Sequence, residues 1–143
     1  GGGLIAASTD QSSEVEWGCQ GTSISTGTAI GTGTQNTIDI LAGCSTSGIA
    51  ADVCANLTLG GYSDWFLPSK DEFNEMVLNI GLGDALGLGN ILNLSLKYYW
   101  SSSEWNATKA YFMNPNTGSG STANKDGTGL SGGGAYVRAI RAF

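Results

Sequence analysis

The sequence contains no histidine. Without an imidazole, the chain cannot build a Ser-His-Asp or Cys-His catalytic site, a histidine-ligated zinc centre or a histidine pH switch. An enzyme would have to rely on carboxylates or lysine, and the acidic residues are scattered without a spacing that singles out a catalytic pair. We therefore predict that the protein is not an enzyme.

Positive charge is also scarce. Lysine and arginine total 6 and aspartate and glutamate 12, so the formal net charge is −6. A nucleic-acid-binding face needs several cations to neutralise phosphates, and the basic residues here are spread along the chain. This distribution predicts no binding to nucleic acid, and it makes anionic lipids and sulfated polysaccharides poor partners.

Neither a membrane-spanning segment nor a signal peptide is apparent in the sequence. No apolar run approaches the roughly 18 residues of a transmembrane helix, so we expect no membrane insertion, and no basic-then-apolar leader is present. The 143 residues fit a single domain spanning 1–143. The charged fraction is only 13% and glycine numbers 23, a composition that favours a loop-rich extracellular or cell-surface domain.

Three cysteines are present, which allows one disulfide and one free thiol in three possible pairings. Cys19 and Cys44 each follow a glycine in loop-like sequence, whereas Cys54 shares a helical face with Ala50 and Leu57. We therefore favour a Cys19–Cys44 disulfide, with Cys54 buried as a small hydrophobic residue. The alternative is three reduced thiols in a cytosolic protein.

One helix can be placed with a clear start and stop. Ser69 and Glu72 match a capping box, in which two side chains satisfy free backbone N–H groups of the first turn. Apolar residues then recur at helical spacing, and Gly81 ends the pattern. The apolar face consists of Phe73, Met76, Val77 and Ile80.

The other elements rest on weaker patterns. Further helices are predicted at 36–41 and from between Ser45 and Ser47 to Leu57. Strands are predicted at 4–7, 97–102, 109–113 and 135–143. The segments 8–36, 82–96 and 114–134 read as irregular. Two helices in the middle of the chain, flanked by strands, indicate an α+β domain.

Several motifs carry a family resemblance. They are LIAA at 4–7, DQS at 10–12, EWG at 16–18, GYSDWFLPSKDE at 61–72, YWSSSE at 99–104 and YVRAIRAF at 136–143. In order and spacing they resemble the bacterial family typified by the C-terminal domain of the Lcl collagen-like adhesin. The resemblance implies a C-type-lectin-like fold of the formylglycine-generating-enzyme superfamily, with two helices packed on a small, mostly antiparallel twisted sheet and long loops.

The family's properties carry over only in part. Its members are surface or secreted domains, often ligand-binding and sometimes trimeric. The adhesin's attraction to sulfated glycans relies on positive charge, which this chain lacks, and the formylglycine-generating enzymes use cysteines in their C-terminal part, where this chain has none after Cys54. Family members also have a strand before the LIAA segment, which here is missing, partly formed by Gly1–Gly3, or supplied by another chain.

The resemblance implies a ligand-binding surface on the loops between the central hairpin and the terminal strand. These loops are rich in side chains that offer hydrogen bonds at a modest desolvation cost, and loops on a rigid scaffold commonly carry function. The predicted partner is an extracellular glycan or protein. The predicted ligand-binding residues are Glu104, Trp105, Asn106, Thr108, Asn114, Asn116, Asn124 and Asp126.

For three groups of residues, the sequence fits either a structural role or a functional role. The aromatic residues at 65–66 and 98–100 form either core or a sugar-stacking platform. Arg138 and Arg141 either bind ligand or pair with an acid among Asp64, Asp71, Glu72 and Glu104. No cofactor is predicted, although calcium remains an alternative; its candidate ligands are Asp10, Asp64, Glu104 and Asp126.

Two functions fit these observations. The first is a secreted or surface-displayed ligand-binding or adhesion domain. The second is a structural subunit of an extracellular assembly that forms homo-oligomers, because a weakly charged surface and an open strand edge both favour self-association.

Overall fold

The computed structural model describes residues 2–90, 97–114 and 119–143. The helices in these ranges are α1 (Gly33–Gly43), α2 (Ala50–Ala55) and α3 (Lys70–Ile80). The strands are β1 (Leu4–Ala6), β2 (Ser12–Val15), β3 (Tyr99–Glu104), β4 (Lys109–Asn114), β5 (Ser119–Asn124), β6 (Ala135–Val137) and β7 (Ile140–Ala142). The predicted α+β class is confirmed. The described residues contain three helices and not the two of the expected architecture, because α1 is longer than the short helix predicted at 36–41.

The strands form a mixed five-stranded sheet and a separate two-stranded ribbon. The sheet order is β2-β6-β3-β4-β5, and the ribbon pairs β1 with β7. β3 and β6 run parallel, with Tyr99 opposite Tyr136, while the other neighbours are antiparallel. Because β6 lies between β2 and β3, the C-terminal part of the chain holds the N-terminal part against the central hairpin.

Helix α3 begins as its capping box predicts. The Ser69 hydroxyl accepts a hydrogen bond from the Glu72 N–H at 3.2 Å, and the Glu72 carboxylate accepts one from the Ser69 N–H at 2.8 Å. Glu72 is buried and also accepts from the Gly31 N–H at 2.8 Å. The box therefore joins α3 to the loop before α1, in addition to satisfying the first turn of the helix.

The other two helices differ from their predicted bounds. Helix α1 begins at Gly33 rather than near Asn36, and its first position accepts only glycine, because a Cβ at Gly33 would collide with the Glu72 carboxylate and the Phe66 ring. Helix α2 begins at Ala50 instead of between residues 45 and 47. The reason is Gly48, whose φ of 77° is incompatible with a continuing right-handed helix.

Three strand predictions also need correction. The segment 135–143 is not one strand, because β6 and β7 belong to different sheets and are separated by Arg138 and Ala139. The segments 8–36 and 114–134 are not wholly irregular, since they contribute β2 and β5. β5 has the sequence SGSTAN, which lacks large apolar residues, and it pairs with β4 along all six of its positions.

The motif aromatics lie mostly in the core. Trp17, Tyr99 and Trp100 are fully buried, and Trp65 and Phe66 are less than 8% exposed. The indole N–H groups of Trp17 and Trp100 donate to the carbonyls of residues 101 and 15, which connects the sheet strands to the N-terminal segment. The core interpretation is confirmed for these residues, whereas Tyr98 stays 36% exposed.

The cysteine prediction is confirmed. Cys19 and Cys44 form a disulfide that joins the loop after β2 to the end of α1, and Cys54 is free and buried in α2. Cys44 and Cys54 belong to the larger apolar cluster together with Trp17 and Ile49.

Candidate functional site

The structure brings the two predicted binding loops together with a third segment. The Lys125 N–H donates to the Thr108 carbonyl at 3.0 Å, so the turn between β3 and β4 contacts the start of the loop after β5. The Gly21 N–H donates to the Ala107 carbonyl at 2.8 Å. The loop that carries Cys19 therefore packs against the same turn, a neighbour that the sequence patterns did not indicate.

Glu104 lies beneath this surface and does not face solvent. β3 bulges across its serines, because Trp100 is opposite Phe112 but Glu104 is opposite Ala110. A bulge of this kind redirects the following side chain, and the Glu104 side chain is only 7% exposed.

The Glu104 carboxylate receives donors from two loops. The Ile24 N–H donates to it at 2.6 Å and the Lys125 ammonium at 2.7 Å. The Lys125 ammonium also donates to the Thr22 carbonyl and lies 4.6 Å from the Trp17 ring centre. Glu104 therefore fixes the loops relative to one another and leaves little side-chain surface for a ligand.

Asn106 and Thr108 shape the turn between β3 and β4. The Asn106 side-chain oxygen accepts from the Thr108 N–H at 2.9 Å, the Thr108 hydroxyl at 3.0 Å and the Lys109 N–H at 2.8 Å. This pattern is an Asx turn, which fixes the backbone locally. Trp105 projects from the rigid turn and is 54% exposed.

Asn124 and Asp126 shape the next turn in a similar way. The Asp126 carboxylate accepts from the N–H and hydroxyl of Thr128, at 2.9 and 2.7 Å, and these bonds hold the pKa of Asp126 below its usual value. The Asn124 amide donates to the same hydroxyl at 2.9 Å. Asn114 lies at the far end of β4, opposite Ser119, and Asn116 lies outside the described residues.

A groove runs over the surface between these turns and β3. It has a volume of about 310 Å³. Its apolar lining comes from Tyr98, Phe112, Ala123 and Leu130, and its polar lining from Lys109, Thr122, Asn124 and Thr128. We call it the Tyr98 groove. Tyr98 packs edge-to-face on Phe112 with 5.0 Å between ring centres, so its exposed ring is held in one orientation.

Trp105 lies beside this groove. The ammonium of Lys109, which lines the groove, is 5.9 Å from the Trp105 ring centre. Sequence reasoning selected Trp105 and Asn124 but missed Lys109, Phe112 and Leu130. The available signal was the composition of β4, KAYFMN, which places a cation and aromatic rings on a hairpin strand next to the predicted loops.

The acidic residues considered for calcium all have other partners. Asp10 accepts from Arg138, Asp64 from Arg141, Glu104 from Lys125 and Asp126 from Thr128. Within the described residues, no three side chains of the types His, Cys, Asp or Glu are grouped so that they could hold a metal ion.

Arg138 and Arg141 form ion pairs, as the structural reading predicted, but with only one of the expected acids. The Arg141 guanidinium binds Asp64 at 2.7 and 2.9 Å. Arg138 instead binds Asp10, at 2.9 and 2.7 Å, and the Tyr99 hydroxyl donates to the same oxygen. Asp10 lies in a segment that read as irregular, so sequence patterns gave no reason to pair it with the terminal strands.

Among the helices in the described ranges, none combines the length and the apolar character needed to cross a membrane. No protein-family model matches the chain, and no curated protein matches it at a significant level.

Proposed function

We propose that this chain is an extracellular, C-type-lectin-like binding domain, similar to the adhesin family named above, and that it holds a glycan in the Tyr98 groove. The observation that carries the proposal is an exposed, orientationally fixed tyrosine within a groove that also offers an ammonium, an amide and hydroxyl groups. Trp105 extends this surface at the side of Lys109. The domain acts by binding rather than by catalysis.

The chemistry of the lining favours a sugar. An aromatic face covers the apolar C–H surface of a pyranose, while amide and hydroxyl groups satisfy its hydroxyls. The turns that carry these groups are fixed by their own hydrogen bonds and by the buried Glu104–Lys125 pair. A rigid surface loses little conformational entropy on binding, which raises affinity for a small ligand.

The exposed aromatics elsewhere are less suited to this role. The Tyr62 ring is covered by the Arg141 guanidinium, 3.8 Å from the ring centre. Phe143 lies next to Gly3 at the end of the two-stranded ribbon and is not among the residues that line the Tyr98 groove. An extracellular location is supported by the Cys19–Cys44 disulfide, because such bonds persist mainly in oxidising compartments.

The test is binding to a glycan array, compared between the parent protein, Tyr98→Ala and Trp105→Ala. Loss of one stacking contact is expected to weaken binding by about tenfold. Phe143→Ala is the matched control, since it removes an exposed aromatic ring from a different sheet. Circular dichroism and thermal melts establish that each variant is folded. Retention of binding in both folded groove variants would reject the Tyr98 groove as the site.

A second candidate function, self-association as a structural subunit, is favoured by the edge of β1. Among the described strands β1 pairs only with β7, and Leu4 and Ile5 are 39% and 41% exposed. An apolar groove of about 360 Å³ is lined by Leu4 together with Ile30, Met76 and Leu86, among others. An open edge next to an apolar groove is suited to the addition of a strand from a second copy.

Light scattering over a range of protein concentrations tests this alternative. If copies pair through β1, the parent protein forms oligomers, and Ile5→Lys restores the monomer because a lysine on an edge strand opposes pairing. Leu88→Lys, which adds the same charge at another exposed leucine, leaves the oligomer intact. A parent protein that stays monomeric at all concentrations would reject the alternative.

A further inference from the structure

Four of the six basic side chains are neutralised by a neighbouring carboxylate. The pairs are Lys70–Asp71 at 3.3 Å, Lys125–Glu104 at 2.7 Å, Arg138–Asp10 at 2.7 Å and Arg141–Asp64 at 2.7 Å. Lys97 and Lys109 have no carboxylate within 4.0 Å in the described part of the chain. The remaining residues, 1, 91–96 and 115–118, include no aspartate or glutamate. Lys97 and Lys109 are therefore the cations without an acidic side-chain partner.

Both lysines line grooves that include Tyr98. Lys109 lines the Tyr98 groove, and Lys97 lines a second groove of about 260 Å³ together with Tyr136 and Ser131. Tyr98 contributes to both grooves, so the two lysines belong to grooves that adjoin the same residue.

Each of these lysines is placed by an aromatic ring and not by an acid. The Lys97 ammonium lies 4.2 Å from the Tyr136 ring centre, and the Lys109 ammonium lies 5.9 Å from that of Trp105. Both side chains are half-buried. An ammonium over an aromatic face keeps its charge and still has N–H donors free for an anion.

This arrangement is unusual for a chain with a net charge of −6. The general acidity of the protein repels anions, but a half-buried ammonium without a carboxylate partner attracts one locally. With only two such cations, and with Glu14 also lining the Lys97 groove, the surface suits a ligand with one or two negative charges. A densely sulfated chain would meet more repulsion than attraction.

We propose that the Tyr98 groove and the Lys97 groove bind a short acidic saccharide of uronic or sialic acid units, whose carboxylates are held by Lys109 and Lys97 while Tyr98 contacts a sugar ring. This inference rests on the proposed glycan-binding function and names the class of ligand.

The test uses oligogalacturonate and its methyl ester as a matched pair of probes, because they differ only in whether the carboxylate is free. Isothermal titration at low ionic strength is expected to show binding of the free acid and little or no binding of the ester. Lys97→Met and Lys109→Met are each expected to weaken binding by about three- to fivefold, as for a partly exposed ion pair. Raising the salt concentration reduces affinity for the acid.

Lys70→Met is the matched control variant. Lys70 is also a partly exposed lysine near an aromatic ring, 5.7 Å from the centre of Tyr111, but it is paired with Asp71 and lies outside both grooves. Its removal lowers the net charge by the same amount and is expected to leave binding unchanged. An equal loss in Lys70→Met would overturn the inference, because the effect would then follow net charge and not the site.

The remaining outcomes separate this inference from the proposed function. One outcome is that the ester and neutral saccharides bind as well as the acid, with binding weakened by Tyr98→Ala but not by Lys97→Met or Lys109→Met. That result would support the glycan site and reject the acidic saccharide as its ligand. If a heparin fragment binds with the same dependence on Lys97 and Lys109, the carboxylate assignment is wrong. If no saccharide of any kind is retained by the folded protein, the proposed function fails and the inference fails with it.

Discussion

The ammonium of Lys125 lies 2.7 Å from a carboxylate oxygen of Glu104, with the two side chains 0% and 7% exposed. The pair joins β3 to the loop after β5, and the Trp17 ring lies against the lysine. The pair also forms hydrogen bonds with backbone groups of residues 22 and 24 and with the Ser23 hydroxyl. The proposed binding surface is therefore supported from below by an ion pair, one member of which, Glu104, was predicted from the sequence to bind ligand on that surface.

Glu104→Gln is expected to lower the free energy of unfolding by about 3–5 kcal/mol, because it leaves the Lys125 ammonium buried without a counter-charge. Urea denaturation measures the change. The double variant Glu104→Gln/Lys125→Met is expected to recover much of the loss, since both charges are then gone. Lys70→Met, which breaks an exposed pair, is the control and should change stability by less than about 1 kcal/mol. If Glu104→Gln were as stable as the parent, the Glu104–Lys125 pair would not be buried in solution.

Removal of the disulfide tests the connection between the Cys19 loop and α1. The bridge closes a loop with a sequence separation of 25, for which chain entropy gives a stabilisation of about 3.5 kcal/mol. Cys19→Ser/Cys44→Ser is expected to lose about that amount in urea denaturation, and reduction of the parent should have the same effect. Cys54→Ala retains the bridge and is the control for loss of a cysteine. Equal stability of the oxidised and reduced parent would contradict the expectation.

Cys54 is expected to be chemically silent in the folded protein. Burial raises the pKa of its thiol, so the reactive thiolate is not formed at neutral pH, and the sulfur is not accessible. Titration with Ellman's reagent should detect no thiol in native buffer and one per chain in guanidinium chloride. Three thiols after denaturation without a reductant would mean that the Cys19–Cys44 bridge is absent in the native protein.

The Asp64–Arg141 pair gives a pH dependence with a defined sign. The hydrogen bond from Arg141 lowers the pKa of Asp64 in the folded protein. The pair therefore contributes stability above the unfolded pKa of aspartate, about 3.9, and this contribution is lost as the pH falls through the lower folded pKa. Carboxyl NMR should place the midpoint of Asp64 below the usual value, and Arg141→Met should move it upward.

Asp126 is the internal control for that titration. Its pKa is also lowered, but the cause is hydrogen bonding from Thr128. Arg141→Met should leave the Asp126 midpoint in place, and Thr128→Val should raise it. If Arg141→Met moved both midpoints equally, a general change in the protein's charge would explain the shift better than the pair does.

Some features of the fold followed from neighbouring residues in the chain. The start of α3 was predictable because Ser69 and Glu72 satisfy each other's backbone groups within one turn. The choice of Cys19 and Cys44 followed from the local setting of each cysteine. By contrast, the start of α1 was misplaced, and the reason for a glycine at its first position lies with Phe66 and Glu72, which pack against Gly33 from distant parts of the chain.

The candidate site was predictable as a region but not as a set of side chains. The exposure of Trp105 could be predicted from the sequence, because the turn that carries it is held by hydrogen bonds that the Asn106 side chain accepts from residues two and three positions away. Glu104 became internal because a bulge in β3 turned it toward Lys125, and a bulge depends on pairing with β4. The Tyr98 groove is built from Tyr98, two residues of β4, the end of β5 and the loop after β5, so no single segment contains its pattern.

Composition and short-range contacts were enough to set the chemistry open to this protein: no histidine, few cations, at most one disulfide within the chain and a capped amphipathic helix. Tertiary structure alone decided which charges neutralise each other. Arg138 binds Asp10 across 128 positions of the chain, and Lys97 and Lys109 were left without an acid. Such pairings depend on where strands from opposite ends of the chain come together, which no local pattern specifies.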